Sequence, residues 1–269
     1  MKVWKEAQVA VTGLYKKLAL LWASPSNLWK THTALIFPSS IDDRDPRDCK
    51  RWHVRPTWLI RIGRPVARQI LPFVVDLTLT GTEHLPATGA AILACNHASL
   101  LDPILLDAFF PRYSYFMSKQ ELFRHPLMAW FLRNAGAFPV NRSGGDTWAM
   151  RHAEHILQEG QVLGIFPEGT RSKQRGTLGK GKTGAVRLAL EQGAPIIPVA
   201  ILGTDTLLDK YRNPLRPPPV SVHIGTPIYV DEMVTHSPPR YEEIQILTTL
   251  LMERIAEMMP PEKRGEYVE

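Results

Sequence analysis

Two kinds of apolar pattern alternate along the chain between residues 74 and 258, and this alternation restricts the possible folds more than any other feature. Seven short apolar or alternating runs predict strands: VVDLTLTG, AAILAC, YSYFMS, AFPVN, VLGIF, PIIPVAIL and VSVHIG. Apolar residues at three- and four-residue steps predict helices at 103–110, 120–134, 146–159, 182–192 and 240–258. The sequence therefore predicts an α/β domain with a mixed central sheet flanked by helices.

The length and the charge of the chain narrow its class. A chain of 269 residues can form one α/β core with an appended segment. The formal net charge of +6 favours an anionic partner. Composition alone leaves three partners open, namely nucleic acid, a phosphorylated metabolite and the headgroups of a membrane.

The two cysteines and the apolar runs exclude several classes of protein. Cys49 and Cys95 lie far apart without metal-ligand spacing, so we expect neither a disulfide framework nor a zinc site, and a reducing compartment fits. The first residues lack the pattern of a signal peptide. No apolar run reaches the roughly eighteen residues needed to span a bilayer. Any membrane contact is therefore expected at the surface.

The first 48 residues are expected to lie outside the main domain. Residues 1–22 have the spacing of an amphipathic helix, whose apolar face could pack on the core or lie in a membrane interface. Residues 23–48, with three prolines and the mixed charges of DDRDPRD, are typical of a linker. These features predict a domain boundary near residue 49, with the folded domain covering 49–269.

A basic segment at 49–75 opens this domain. It contains no acidic residue and mixes tryptophans with Lys50, Arg51, Arg55, Arg61, Arg64 and Arg68. Such a mixture suits a membrane interface, where the cations face lipid phosphates, and the unbalanced charge favours that interpretation. The alternative is a solvated basic helix packed on the domain.

The stretch AILACNHASLLDPILL holds the best candidates for acid–base chemistry. A buried strand is expected to end at Asn96-His97, and Asp102-Pro103 is expected to open a helix. A carboxylate that orients an imidazole makes a general base, so His97 and Asp102 form a candidate pair if His97 lies outside the helix. The alternative is a helix-capping aspartate beside a surface histidine.

No covalent nucleophile accompanies this pair. The chain has no G-x-S-x-G motif, and Cys95 is expected to point away from its strand neighbour. We therefore expect His97 to take a proton from a substrate hydroxyl, which then attacks an activated acyl carbonyl.

Two arginines follow predicted strands and suit an anionic ligand. Arg142 ends GAFPVNR, and Arg171 lies in FPEGTRS, where Gly169 would let the backbone approach an anion. Glu168 could fix the guanidinium of Arg171 or accept a substrate hydroxyl. Salt bridges within the loops are the alternative for either arginine alone.

The segment GTLGKGKT, Gly176–Thr183, matches the phosphate-loop pattern G-x-x-x-x-G-K-[ST]. In a nucleotide-binding loop, Lys182 would reach the outer phosphates and Thr183 a magnesium ion. That loop must follow a buried strand directly, whereas PEGTRSKQR separates it here from VLGIF. A P-loop nucleotide hydrolase therefore stays an alternative, and the order of strand and loop disfavours it.

Four motifs together resemble one known family. NHASLLD, GAFPVNR, FPEGTRS and PIIPVAI occur in the order of the four sequence blocks of the glycerolipid acyltransferases, over about residues 75–230, and the chain resembles the 1-acyl-sn-glycerol-3-phosphate acyltransferases. The resemblance implies that His97 and Asp102 are catalytic, and that Pro195–Val199 shapes the acyl-donor side. It also implies that the acceptor phosphate is held by residues from two blocks: Gly136, Arg142, Phe166, Pro167, Glu168, Gly169, Thr170 and Arg171. A lysine- and glycine-rich segment before a helix follows the third block in such enzymes, which makes Lys180 and Lys182 substrate-binding candidates.

The implied reaction moves a fatty acyl group from acyl-CoA or acyl carrier protein to the hydroxyl of lysophosphatidic acid, in phospholipid synthesis. No metal or cofactor is expected, and the implied location is cytoplasmic and peripheral to an anionic membrane surface. Other acceptors, another lysophospholipid or glycerol 3-phosphate, stay open, as does a lipid-binding protein without activity. Many relatives begin with apolar segments, so the amphipathic and basic segments of this chain predict weaker membrane attachment.

Overall fold

The strands form one mixed sheet in the part of the chain that the structure describes. The computed structural model describes residues 45–142, 144–172, 176–206 and 217–267. Within these ranges the strands are β1 (Asp76–Thr80), β2 (Ala91–Cys95), β3 (Ser114–Lys119), β4 (Ala137–Val140), β5 (Val162–Ile165), β6 (Ile196–Leu202) and β7 (Pro219–Ile224). Their order is β1-β7-β6-β2-β5-β3-β4, and every neighbouring pair is parallel except β6 and β7. Each predicted run overlaps one of these strands, and the predicted mixed sheet is confirmed.

Six α-helices are present in the same ranges. They are α1 (Trp58–Ile70), α2 (Asp102–Phe109), α3 (Pro126–Asn134), α4 (Thr147–Gln158), α5 (Gly184–Gln192) and α6 (Tyr241–Glu257). The five helices expected from periodicity are confirmed, with one difference. The segment 120–134 starts as a 3₁₀ turn, Gln120–Phe123, and α3 begins only at Pro126, whose ring fits the first turn of a helix.

The helices cover both faces of the sheet because the side chains of β2 alternate between two cores. Ile92 and Ala94 pack with residues of α4, α5 and α6. Leu93 and Cys95 pack on the other face with Leu106 of α2 and the Phe110 that follows it. Strands buried on both faces read as continuous apolar runs, which explains why AILAC shows no polar alternation.

The parallel strands bring several loops to one edge of the sheet. β2, β3, β4 and β5 run in the same direction, so the residues after Cys95, Lys119, Val140 and Ile165 meet at their carboxyl ends. Ligand sites of open α/β sheets lie at this edge.

Most of the predicted amphipathic helix and linker falls outside the described residues. Its described end, residues 45–48, is held by the domain: Arg47 donates to Asp45 and, at 2.7 Å, to Oδ2 of Asp146. Asp146 also accepts from Ala149 N as the N-cap of α4. This end of the linker is therefore bonded to the folded domain.

The basic segment at 49–75 contains α1, and two of its arginines do not have the predicted orientation. Arg64 and Arg68 donate to the carbonyl oxygens of Phe110 and Ala108, at the carboxyl end of α2. Cations at that end satisfy unpaired carbonyls and the helix dipole. The expected orientation towards lipid is therefore wrong for the half-buried Arg64, and Arg68, although exposed, is also bonded to the domain, whereas Arg55 and Arg61 are exposed. None of the helices in the described ranges is long and apolar enough to cross a membrane.

Candidate active site

The site begins where β2 ends, and Asn96 fixes that end. The Asn96 side chain donates from Nδ2 to Ile201 O at 2.9 Å and accepts from Ile201 N at 2.7 Å. These two bonds replace the ladder pairing with β6, so the chain leaves the sheet at His97. Asn96 is buried and has a structural role.

His97 and Asp102 form a buried pair. His97 lies in the loop before α2, and its Nδ1 is 2.8 Å from Oδ2 of Asp102, the first residue of that helix. The same oxygen accepts from Ala98 N and Ser99 N, both at 2.8 Å. The side chain of Asp102 is 0% exposed and that of His97 is 7% exposed. The structure thus combines the two interpretations from sequence, because Asp102 orders the first turn and also holds the imidazole.

The phenyl ring of Phe166 stacks on the imidazole of His97 and restricts the rotation of its ring. The two ring centroids are 3.9 Å apart with an angle of 20° between the planes. With Nδ1 bonded to Asp102, the nitrogen that can accept a proton from a ligand is Nε2. Phe166 therefore contacts the candidate base itself.

The turn of FPEGTRS holds the backbone of His97 on both sides. Oε1 of Glu168 accepts from His97 N at 2.9 Å, and Ser172 N donates to His97 O at 2.7 Å. Glu168 is 6% exposed, and its burial raises the pKa of the carboxyl above the usual range. Its second oxygen accepts from Gly179 N at 2.9 Å. The expected partnership with Arg171 is therefore replaced by two backbone bonds, which align the imidazole.

An apolar cavity of about 380 Å³ begins at His97. Its lining comes from α1, α2, α3, β3 and the start of β4, and includes Leu59, Gly63, Ile104, Ala108, Phe131 and Leu132. His97, Lys119 and Arg142 line it where β2, β3 and β4 end. Burial and the nearby Arg171 lower the pKa of Arg142 from its ordinary value.

The cavity extends along α2 to a polar end. Arg64 and Asp107 line it there, with Arg64 Nε 4.0 Å from Oδ1 of Asp107. Burial raises the pKa of Asp107 to about 6. The lining on α2 runs from Pro103 to Ala108, so the cavity has the form of an apolar slot along this helix with a cationic entrance.

A second, more polar cleft of about 240 Å³ lies on the other side of Glu168. Thr170, Arg171, Thr177 and Lys180 line it together with Leu178 and Gly179. The structure therefore brings Arg171 and Lys180 together, while Arg142 lies in the neighbouring apolar cavity. Arg142 is exposed, and the effect of Arg171 on its pKa indicates that the two guanidinium groups lie near one another.

The segment Gly176–Thr183 does not form a phosphate-binding cradle. Four of its backbone N–H groups donate within the protein: Leu178 to Lys263 O, Gly179 to Glu168, Gly181 to Tyr267 Oη, and Lys182 to Pro167 O. A phosphate loop needs these donors for its ligand. Lys182 lies along Gly169, where an added Cβ would be 2.8 Å from Nζ. Pro167 thus accepts a hydrogen bond from the loop, and Gly169 leaves room for the side chain of Lys182.

Two other predicted residues have different positions from those expected. Gly136 precedes β4, at the opposite end of that strand from Arg142, and an added Cβ would lie 2.3 Å from Tyr113 Oη. Its positive φ of 72° and this close approach explain the glycine sterically. Residues 196–199 belong to the buried strand β6 and Pro195 directly precedes it, and none of the five lines either of the two cavities.

Lys119 is a candidate that the sequence interpretation missed. It ends β3 and lines the apolar cavity with His97 and Arg142, while its Nζ is 3.5 Å from Oε1 of Glu121. A cation directly after the predicted strand YSYFMS was the available signal, because the neighbouring strands were already assigned to the same edge. Cys95 is buried and its thiol pKa is raised by burial, which agrees with a packing role.

Comparisons with known proteins identify relatives across this region. The acyltransferase family profile matches residues 76–202. The chain is 31% identical over 177 residues to the 1-acyl-sn-glycerol-3-phosphate acyltransferase of Bacillus subtilis, an alignment that covers 65% of this chain and 84% of the relative. It is 29% identical over 188 residues to the protein of that name from Cocos nucifera, covering 69% of this chain and 59% of the relative.

A solved structure shares the fold. The crystal structure of the 1-acyl-sn-glycerophosphate (LPA) acyltransferase from Thermotoga maritima superposes with a TM-score of 0.58 and 26% identity. The superposition covers 74% of this chain and 79% of that chain. The residues that the family profile matches, 76–202, contain β2, the His97–Asp102 pair and both arginine-bearing turns.

Proposed function

The chain belongs to the acyltransferase family that includes the 1-acyl-sn-glycerol-3-phosphate acyltransferases, and we propose that it transfers a fatty acyl group from a thioester to lysophosphatidic acid. The donor is acyl-CoA or acyl-acyl carrier protein. The product of this reaction is a phosphatidic acid, so the proposed role lies in phospholipid synthesis.

One observation carries this proposal: a buried His97–Asp102 pair stands at the entrance of an apolar cavity, between cationic side chains. The apolar slot suits a fatty acyl chain, since burying hydrocarbon is favourable and needs no polar partner. Lys119, Arg142 and Arg171 suit a phosphate, since charge-assisted bonds to phosphate are strong. No other site in the described residues offers a base, an apolar slot and cations together.

The proposed reaction needs only proton transfer and orientation. Nε2 of His97 accepts the proton of the acceptor hydroxyl while its oxygen attacks the thioester carbonyl carbon. The tetrahedral intermediate then expels the thiolate, which accepts this proton from His97, and the ester bond replaces the thioester bond. Asp102 orients the imidazole and stabilises its cationic form between the two steps. The proposed chemistry requires no metal ion and no cofactor beyond the acyl donor.

Exposed apolar side chains near the cavity support a peripheral association with a membrane. On α1, Trp58, Ile62, Val66 and Ile70 are exposed at four-residue steps, so they form one face of the helix. Leu127, Trp130 and Phe131 of α3 are also exposed. Apolar groups clustered on a surface mark an interaction site, and tryptophan suits the headgroup region. This arrangement would place the cationic entrance of the slot at a membrane surface that carries the acceptor.

The phosphate role of the arginines gives the first test of the proposal. Arg142→Ala and Arg171→Ala should each raise the KM for lysophosphatidic acid about 10- to 100-fold, from the loss of a charge-assisted contact. Transfer to monoacylglycerol, which has no phosphate, should change little. Arg151→Ala, at an exposed position of α4, is the matched control. Equal losses with both acceptors would show that the arginines are structural, and transfer to other lysophospholipids alone would redirect the proposal to another acceptor.

A further inference from the structure

A short segment after α6 packs directly on the lysine- and glycine-rich loop. This segment, Pro261–Tyr267, consists of two 3₁₀ turns. Lys263 O accepts from Leu178 N at 2.8 Å, and the Tyr267 hydroxyl oxygen accepts from Gly181 N at 3.1 Å. Lys263 Nζ also donates to Oδ2 of Asp205 at 3.0 Å, which ties the segment to the end of β6. The family profile ends before this segment, at residue 202.

The contact between segment and loop is tight on both sides. At Gly265, where φ is +63°, an added Cβ would lie 2.1 Å from Leu178 O. At Gly181, an added Cβ would lie 2.5 Å from Cγ of Met252, on α6. Gly265 thus lets the segment approach the loop, and Gly181 lets the loop approach α6, more closely than residues with a side chain would.

The loop is held from its other side by Glu168, which also holds the backbone of the candidate base His97. Gly179 N donates to Oε2 of Glu168, whose Oε1 accepts from His97 N. Tyr267 therefore lies at one end of a continuous series of contacts that reaches His97. Burial raises the pKa of the Tyr267 phenol, which stays protonated near neutral pH and keeps its oxygen lone pairs available to Gly181 N.

We propose that Tyr267 is a positioning residue: its hydroxyl holds the Gly176–Thr183 loop so that Lys180 and Arg171 face one another across the polar cleft. The inference rests on the proposed function, in which that cleft receives the anionic part of a substrate. A lysine on a free glycine-rich loop would have to be ordered at each binding event, which weakens affinity. Four internal backbone bonds remove that cost, and Tyr267 supplies the one most distant in sequence.

The test compares Tyr267→Phe with Tyr241→Phe in the full chain. Tyr267→Phe removes one oxygen and keeps the ring, whereas Tyr241 is exposed at the start of α6 and serves as the matched control. The first readout is hydrogen exchange in the peptide covering 176–183. Faster exchange there in Tyr267→Phe, with other peptides unchanged, is expected because Gly181 N loses its acceptor.

The second readout separates positioning from general damage. Tyr267→Phe should raise the KM for lysophosphatidic acid about five- to tenfold and leave kcat within about twofold, the pattern of lost binding with intact chemistry. Unchanged hydrogen exchange in the loop would show that the Tyr267 hydroxyl does not hold it. Faster exchange with an unchanged KM would overturn the positioning role. If the unaltered protein transfers no acyl group, the proposed function has failed. The exchange experiment still decides, independently of activity, whether Tyr267 holds the loop.

Discussion

Replacing Glu168 with glutamine tests whether a buried carboxylate holds the catalytic loop in place. Glu168 accepts two backbone N–H groups, one from His97 and one from Gly179, both at 2.9 Å. Glutamine offers one oxygen, and its amide NH₂ would face the other N–H group. One charge-assisted bond becomes neutral, and one buried donor loses its acceptor.

The cost follows from these two changes. A bond to a charged group contributes about 1.5–3 kcal/mol, and an unpaired buried N–H costs about 1–3 kcal/mol. Removing the buried charge offsets part of this, since burial already disfavours the ionised form of Glu168. We expect a net loss of roughly 2–3 kcal/mol in the free energy of unfolding, which lowers Tm by roughly 4–12 °C for a domain of this size.

The same substitution should reduce catalysis, because the backbone N of His97 loses its fixed position. A displacement of about 1 Å at a catalytic group costs on the order of 100-fold in rate, so kcat should fall about 10- to 100-fold. Thermal unfolding and steady-state kinetics measure the two effects, with Glu253→Gln on the exposed face of α6 as control. A Glu168→Gln protein with the Tm and kcat of the unaltered chain would refute the argument.

Three further predictions concern other parts of the molecule. Gly63→Leu should fill the apolar slot and shift the preference towards shorter acyl donors. Stability should not fall, because an added Cβ meets nothing within 4 Å and leucine is the better helix former. An unchanged chain-length profile in donor competition would contradict this use of the cavity. Burial and the nearby Glu154 raise the pKa of Glu191 to about 7, so the folded state binds the proton more tightly than the unfolded state and stability falls as pH rises between about 4.5 and 7. Glu191→Gln should flatten the pH dependence of Tm over this window, by on the order of 1 kcal/mol, and an unchanged slope would remove Glu191 as its source. Thr183→Ala should be nearly silent in transfer assays, because Thr183 makes no capping bond at α5, and calorimetry should show no magnesium-dependent ATP binding; tight ATP binding lost in Lys182→Ala would revive the nucleotide hydrolase.

The sequence predicts the sheet well because each strand is marked by its own residues. AILAC and PIIPVAIL are short apolar runs bounded by polar residues, and their neighbours in space follow from parallel α/β topology. The His97–Asp102 pair was also accessible, because a strand end, a proline-opened helix and five-residue spacing are local features. Local signals of this kind survive folding with little change.

Contacts between distant segments could not be predicted in the same way. Glu168 and Arg171 are close in sequence, which suggested a pair, but two backbone donors from other loops capture the carboxylate. Arg64 and Arg68 belong to a strongly basic segment, yet the open carbonyls of α2 determine where they point. The contact of Tyr267 with Gly181 joins residues 86 positions apart, and no periodicity or motif encodes it.

The most direct measurement is acyl transfer by the purified full chain, using labelled acyl-CoA and acyl-acyl carrier protein with lysophosphatidic acid. The unaltered protein and His155→Ala, an exposed control on α4, should form phosphatidic acid. His97→Ala should keep the same Tm within a few degrees and lose transfer by about 10²- to 10⁴-fold, the usual contribution of a general base. An active unaltered protein whose His97→Ala variant transfers at the full rate would contradict the assignment of His97 as the base.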